Sequence, residues 1–349
     1  MGILYFIILL STIITVHEIG HFVTAKKFNI YVPEFAIGMG PKLWQTKRGE
    51  TKYTIRALPI GGYVSMAGEE GIDLEGVSAD RVLSGISHTK RIIIMVAGAF
   101  MNLVLAWFIF VGIFLYNGKV VVPPPAVIGG VLEQSAAAEA GIQSGDQIQK
   151  VIFPDGSVLT PKNYYDFVNE AMFYEGTMQL YLQRGNEILT VTLTPQYYEP
   201  EKRVMMGLLA PQASIKAITP LEAVWHGTME IGNSVNSVLK TLGKIVRGIG
   251  MDKLSGPVGI YEVTKEQASY GLIPFLALMG MLSVNIGIFN LLPLPILDGG
   301  RALMMIFEGV TKIKINEKLE GAFMIAGVVM MFALFIFVTY QDIVRLIGG

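Results

Sequence analysis

Apolar residues along this chain gather into four blocks, at 3–25, 92–116, about 272–296 and about 321–343. Each is long enough to cross a hydrocarbon core of about 30 Å as a helix, which takes about 20 residues. The intervals between them differ in kind. Residues 26–91 are polar and rich in basic residues, whereas 118–197 carry short β-branched runs punctuated by turn residues. The pattern predicts a first transmembrane helix (1–25), a basic connection (26–91), a second transmembrane helix (92–117) and a soluble α/β module (118–197). A connecting region with an amphipathic helix (198–270) and the third and fourth transmembrane helices (271–349) complete it.

Within the module, Pro123 to Pro125 open a series of short elements: a strand, a small helix at 135–140, and a Gly-Asp turn into another strand. Thr160 and Pro161 read as the cap and first turn of a helix through "NYYDFVNEAM". Two strands around Arg184-Gly185-Asn186 read as a hairpin. Beyond the module, Thr219-Pro220-Leu221-Glu222 combines a cap, a proline at the first position and a capping-box glutamate. The helix that follows has an apolar stripe. It reads either as packed on its own domain or as lying on the outer membrane surface. The second reading suits a helix that joins an external module to a span.

Composition sharpens this picture. Of 349 residues, 52% are hydrophobic and 16% charged, where a soluble domain carries about a quarter charged. A net charge of −1 argues against a nucleic-acid partner, and the absence of cysteine excludes disulfides and thiolate chemistry. No basic residue precedes the first apolar block and no small-x-small pattern follows it, so it reads as a retained span rather than a cleaved signal. Basic residues crowd the first connection (Lys26, Lys27, Lys42, Lys47, Arg48 and others) and the third (Arg301, Lys312, Lys314, Lys318). These connections are expected to be cytoplasmic, which puts both termini and the soluble module outside.

The candidate chemistry lies inside the first span, at "HEIGH" (17–21). Polar side chains at bilayer depth cost several kcal/mol unless partnered. On a helix His17 and His21 share one face a turn apart, a spacing that can place two imidazoles on one zinc ion with Glu18 beside it as general base. HExxH is short enough to arise by chance in a soluble helix; within a span nothing else accounts for three polar side chains. A zinc hydrolase needs a third protein ligand, and Asp298 in "NIGIFNLLPLPILDGGRAL" (285–303) is the candidate, after Pro293 and Pro295 have broken the helix. Taken alone, Asp298-Gly299-Gly300 reads equally as a turn at the membrane edge; its depth matches that of HEIGH and favours the ligand. His88, in a polar connection, and His226, on the amphipathic helix, have no second ligand at suitable spacing.

HEIGH in the first span together with "NLLPLPILDGG" resembles the site-2 protease family of intramembrane zinc metalloproteases, more narrowly its bacterial RseP-type members with a single PDZ domain. "EFAIGMGPKLW" (34–44) and "TIRALPIGGYVSMAGE" (54–69) are similar to that group's re-entrant β-hairpin, and "AGAFMN" (97–102) to its second span, although many members have a proline near Phe100. "SGPVGI" (255–260) and "AGIQSGDQIQKV" resemble its segment before the third span and its PDZ domain. The resemblance implies a polytopic helical protein of the bacterial cytoplasmic membrane, with four spans, a cytoplasmic-side re-entrant β-hairpin and an extracytoplasmic PDZ domain. It implies Zn2+ held by His17, His21 and Asp298, with Glu18 as catalytic base and acid. Asn285 and Asn290 are implied to hold an extended substrate, and Gly61, Gly62 and Tyr63 of the hairpin to contact it by strand addition. For Asn102, Asn285 and Asn290 plain interhelical hydrogen bonding is the other reading; for Asn102 the two stand level.

The function expected is an intramembrane zinc endopeptidase, active toward the cytoplasmic side. It would cleave within the transmembrane segments of single-span proteins, such as anti-sigma factors, or within remnant signal peptides. A non-proteolytic membrane adaptor or chaperone with a structural zinc is the alternative, opposed by the presence of Glu18. An ion transporter is a third, opposed by the lack of paired inverted repeats.

Overall fold

The structure is a computed structural model, describing residues 1–68, 76–201, 203–313 and 316–348. Residues 69–75, including Glu69 of the expected hairpin region, residue 202, residues 314–315, including the basic Lys314, and Gly349 lie outside the described residues. In chain order the elements are helix α1 (Gly2–Lys27), strands β1 (Glu34–Arg48) and β2 (Thr51–Ser65), and helix α2 (His88–Asn117). Next come β3 (Lys119–Val122), β4 (Gly130–Val131), α3 (Ala136–Glu139), β5 (Gln147–Ile152), β6 (Val158–Leu159) and α4 (Tyr164–Ala171). They are followed by β7 (Met178–Arg184), β8 (Glu187–Leu193), β9 (Gln196–Tyr198), β10 (Arg203–Met205), β11 (Leu208–Leu209) and β12 (Ser214–Ala217). Helices α5 (Pro220–Val246), α6 (Pro257–Ser269), α7 (Leu272–Asn290), α8 (Asp298–Thr311) and α9 (Glu317–Gly348) end the chain. The chain divides into two compact units: residues 1–116, 221–241 and 254–349, and residues 117–220 and 242–253.

Among the described residues of the first unit, four helices are long and apolar enough to cross a membrane: Gly2–Lys27, His88–Asn117, Leu272–Asn290 and Gly321–Arg345. The third is shorter than its apolar block predicted. It stops at Asn290 because Pro293 and Pro295 cannot continue a helix, and Asp298 opens a new one. His88, expected in a connection, is the first residue of α2. Small residues set the packing, as they do where backbones must approach closely in lipid. A Cβ added at Gly20 of α1 would stand 2.3 Å from the Ala97 carbonyl oxygen of α2. One added at Gly287 of α7 would stand 3.1 Å from the Ala99 carbonyl oxygen. The run Ala97-Gly98-Ala99 thus lets α2 lie between α1 and α7 without a layer of side chains. The amphipathic α5, expected on the membrane surface, has its first half packed on α2. Gly227 meets Val111, and the Trp107 Nε1–H donates to Thr228 Oγ1 at 2.9 Å.

The β region folds back on itself. Gly38 and Gly40 sit at φ 83°, a left-handed conformation that bends β1. Its second half pairs with the start of β2, from Arg48↔Thr51 to Trp44↔Ile55. Its first half meets the end of β2, from Glu34↔Ser65 to Ile37↔Gly62, and also aligns with Lys52–Ile55. Residues 62–65 therefore form an outer edge. Phe22 of α1 packs against Phe35 and Tyr53 of the sheet, with ring centroids 5.2 and 5.9 Å apart. Glu50 closes the turn by ion pairs to Lys26 and Arg81, each at 2.6 Å. At the other end of the unit, the buried Asp342 carboxylate of α9 accepts backbone N–H bonds from Gly256 (3.1 Å) and Gly259 (2.8 Å) at the start of α6. A carboxylate there satisfies orphan donors and complements the helix dipole.

The second unit centres on a four-stranded antiparallel sheet in the order β6-β5-β7-β8. Phe167 of α4 and Met178, Leu180, Leu182 and Leu193 of the sheet are fully buried in its core. Helix α4 begins at Tyr164, not near Thr160 as the sequence predicted. Asn163 Oδ1 accepts from the Asp166 N–H at 2.9 Å while Asp166 Oδ2 accepts from the Lys162 N–H at 2.9 Å, a reciprocal cap that Thr160 could not make. The unit reaches past residue 197, because β3 pairs with β12 and β4 with β11. It also takes in residues 242–253, where Lys244 Nζ meets Glu170 at 2.6 Å and stands 3.9 Å from the centre of the Phe173 ring.

Asp146 in this unit is buried and grips Arg184 with both carboxylate oxygens, each at 2.7 Å. That guanidinium, with the Gln143 N–H, holds the carboxyl below its ordinary value of 3.8. A carboxyl with a lowered folded value contributes stability above its unfolded value and loses it as pH falls through the folded one. Arg184→Met is expected to cost about 1 kcal/mol at neutral pH. Its deficit against wild type should shrink once the pH drops below 3.8. Hydrogen exchange of β5 and β7 amides across pH checks this; a deficit independent of pH contradicts it.

Candidate metal centre

His17 and His21 lie one turn apart on α1, and both are buried. Asp298 reaches them because the chain between α7 and α8 is folded tightly. A Cβ at Gly299 would stand 2.2 Å from the Leu291 carbonyl oxygen, and one at Gly300 2.0 Å from that of Leu294. No larger residue fits either position, so the two glycines are what let α8 begin directly beneath the break. The result is a convergence of three ligand atoms. Asp298 Oδ2 lies 3.0 Å from His17 Nε2 and 3.3 Å from His21 Nε2, and the two Nε2 atoms are 3.1 Å apart. Among the described residues these three form the one such cluster of potential metal ligands.

The donor set fits zinc. Ligand atoms of a tetrahedral zinc site, each about 2.0–2.1 Å from the ion, lie about 3.3 Å from one another, close to the separations here. His21 Nδ1 is 2.8 Å from the Ile94 carbonyl oxygen. A carbonyl can only accept, so Nδ1 carries the proton and Nε2 presents its lone pair, the usual second-sphere arrangement around a metal-binding imidazole. Asp298 Oδ2 is buried without a hydrogen-bond partner among the described residues. Three such atoms converging in an apolar interior need a shared positive charge, which a proton on an imidazole supplies in part and a divalent cation supplies to all three at once.

Helix α2 forms the wall of the site with a stripe of every fourth residue. The Ile94 carbonyl serves His21, the Gly98 backbone lies against both rings, and Asn102 reaches His17 with Nδ2 to Nδ1 at 3.4 Å. Ile94 and Gly98 escaped the reading of the sequence, although their spacing of four along one helix was the available signal. Glu18 adjoins the sheet edge: its Cγ lies 3.5 Å from where a Gly62 Cβ would stand. Gly61 is left-handed (φ 86°) and packs on Met39, while Tyr63 Oη accepts from Arg56, which also pairs with Glu34 at 3.2 Å. Asn285 and Asn290 are half-buried on α7. Five residues apart, they point about 140° from each other around the helix and do not share a face. His88 and His226 stand outside the cluster, His226 beside Phe114 with centroids 5.8 Å apart.

Two imidazoles from one apolar helix, a carboxylate from the break in another and a neighbouring glutamate make a metallopeptidase-type centre among helices of membrane-spanning length. The chain belongs to peptidase family M50, the site-2 protease family, whose profile matches residues 5–334. It is 36% identical over 347 residues to a candidate zinc metalloprotease of Clostridium perfringens, covering 99% of each chain. It is 32% identical to zinc metalloprotease RasP of Bacillus licheniformis and 29% to regulator of sigma-W protease RasP of Bacillus subtilis, each over 420 aligned positions and 98% of both chains. The protein is accordingly a zinc metalloprotease, with zinc as its cofactor.

Gly98 offers a test of the site that touches no ligand. A Cβ there would lie 2.4 Å from His21 Nε2 and 2.7 Å from His17 Nε2. Gly98→Ala should weaken zinc binding at least about tenfold, a second-sphere magnitude. The metal-free protein should still fold, because the clash is with ring atoms that can swing aside when no ion holds them, and overpacking there costs at most about 1–3 kcal/mol. Zinc titration against a chelator and thermal unfolding measure the two effects; unchanged zinc affinity contradicts the geometry.

Proposed function

We propose that the protein is an intramembrane endopeptidase, with His17, His21 and Asp298 as zinc ligands and Glu18 as general base and acid. The observation that carries this reading is the convergence of three ligand atoms within 3.0–3.3 Å at the meeting of α1 and α8. Bound zinc supplies a Lewis acid that polarises the scissile carbonyl and lowers the pKa of water toward about 7. Glu18 takes the proton of the attacking water and delivers it to the leaving amine. Asp298 and the two histidines hold their positions through Gly299, Gly300, the Ile94 carbonyl and the α2 backbone at Gly98.

A peptide bond in a transmembrane helix has its carbonyl hydrogen-bonded internally, so the substrate must be unwound before attack. The edge at residues 62–65 supports a way of satisfying the freed groups. A substrate strand added along Gly61, Gly62 and Tyr63 would gain main-chain bonds beside Glu18. Asn285 and Asn290 would hold substrate from α7, each from its own side of that helix. Single-span membrane proteins of the anti-sigma factor type and remnant signal peptides are the proposed substrates; the sigma-W regulation in the name of the Bacillus subtilis relative supports the first. In this reading the module at 118–197 is a PDZ domain outside the cytoplasmic membrane, with both termini on that side. Lys26 and Lys27 closing α1 support a cytoplasmic location for that end and for the site near it.

Glu18→Gln tests the proposal. Cleavage of a single-span model substrate in proteoliposomes should fall about 100- to 10,000-fold, while zinc content stays at the wild-type level. Retained cleavage would exclude Glu18 as the base.

A further inference from the structure

Asn102 is fully buried on α2 and is pinned from two sides. Its backbone carbonyl accepts the Ser283 hydroxyl of α7 at 2.8 Å, and its Cβ stands 3.3 Å from where a Gly287 Cβ would be. Its amide faces the ring of His17, Nδ2 to Nδ1, at 3.4 Å. The amide oxygen, Oδ1, is buried and has no hydrogen-bond partner among the described residues.

The protonation of His17 decides what this contact is. Its Nε2 points at Asp298 and at His21 Nε2, at 3.0 and 3.1 Å. Resting on the ligand assignment above, Nε2 gives its lone pair to zinc and the ring proton must sit on Nδ1. An amide N–H facing an imidazole N–H is donor against donor, which holds the two groups apart. Turning the amide by half a turn leaves its shape unchanged and exchanges the two atoms. Oδ1 then accepts from His17 Nδ1–H, so one rotation removes the clash and the orphaned acceptor together.

We propose that Asn102 is a positioning residue, the acceptor that fixes His17 in its Nδ1–H tautomer and aims Nε2 at the metal. It does for His17 what the Ile94 carbonyl does for His21, and the two act from one stripe of α2, two helical turns apart. The difference is chemical. The acceptor for His21 is backbone and cannot be lost by substitution, whereas the one for His17 depends on a single side chain. The link from Ser283 to the Asn102 carbonyl ties this acceptor to α7, the helix that leads to Asp298.

The test uses the full zinc-loaded chain in detergent, labelled with 15N-histidine. The chain has only four histidines, which keeps the spectrum assignable. His17 is expected to show a hydrogen-bonded Nδ1–H with Nε2 on the metal. Asn102→Leu, close in shape but without an acceptor, should lose zinc affinity about 10- to 100-fold and change the His17 Nδ1–H signal, with the metal-free protein unfolding as wild type does. Asn102→Asp, which keeps the acceptor, should restore most of the affinity, a rescue that a purely structural role would not give. Wild-type affinity in Asn102→Leu, or His17 bound through Nδ1, overturns the proposal. If Asn102→Leu does not fold, the wild-type His17 spectrum and Asn102→Asp decide. His17→Ala separates the two levels. If it leaves zinc binding unchanged, the ligand assignment itself fails; if it abolishes binding while Asn102→Leu does not, only the role of Asn102 fails.

Discussion

The structure depends on one electrostatic constraint: three lone-pair-bearing atoms brought within 3.3 Å of one another where there is little water to screen them. In the metal-free chain a proton on an imidazole can bridge only some of these atoms, His17 to Asp298 at 3.0 Å among them. With a divalent cation at their centre, the cost of placing two histidines and a carboxylate among apolar helices is offset by coordination.

Meeting that constraint requires backbones closer than ordinary side chains permit. Gly20 and Gly98 bring α1 against α2, Gly287 brings α7 against α2 from the other side, and Gly299 and Gly300 tuck α8 under the broken end of α7. Helix α2 contributes no ligand, yet its backbone at Ile94 and Gly98 and its side chain at Asn102 touch both imidazoles. The same economy appears at Asp342, where one carboxylate satisfies the start of α6. In each case a polar group within the helical unit has its partner supplied by a neighbouring helix.

Much of this was legible in the sequence because its signals are local. Four apolar blocks, HExxH at helical spacing and an acid after two prolines are patterns within single segments, and the helices and the cluster of His17, His21 and Asp298 follow them. What was not legible depends on tertiary approach. The end of α7 at Asn290 is set by where the proline break begins, and the start of α4 by a reciprocal cap between Asn163 and Asp166. The double pairing of Glu34–Ile37 needs a bend at Gly38 and Gly40 that strand periodicity does not announce. Gly98 had no chemistry of its own to mark it; only the imidazoles lying against it give it a role.

The convergence of His17, His21 and Asp298 calls for one zinc ion held jointly by α1 and α8. X-ray absorption at the zinc edge of the purified full chain tests it most directly, measured beside His17→Ala and Asp298→Ala. The expected result is about one zinc per chain in a four-coordinate shell of two imidazole nitrogens and two oxygens at about 2.0–2.1 Å, with the first shell altered or lost in both variants. A six-coordinate, all-oxygen shell, or a wild-type spectrum that survives Asp298→Ala, would contradict it.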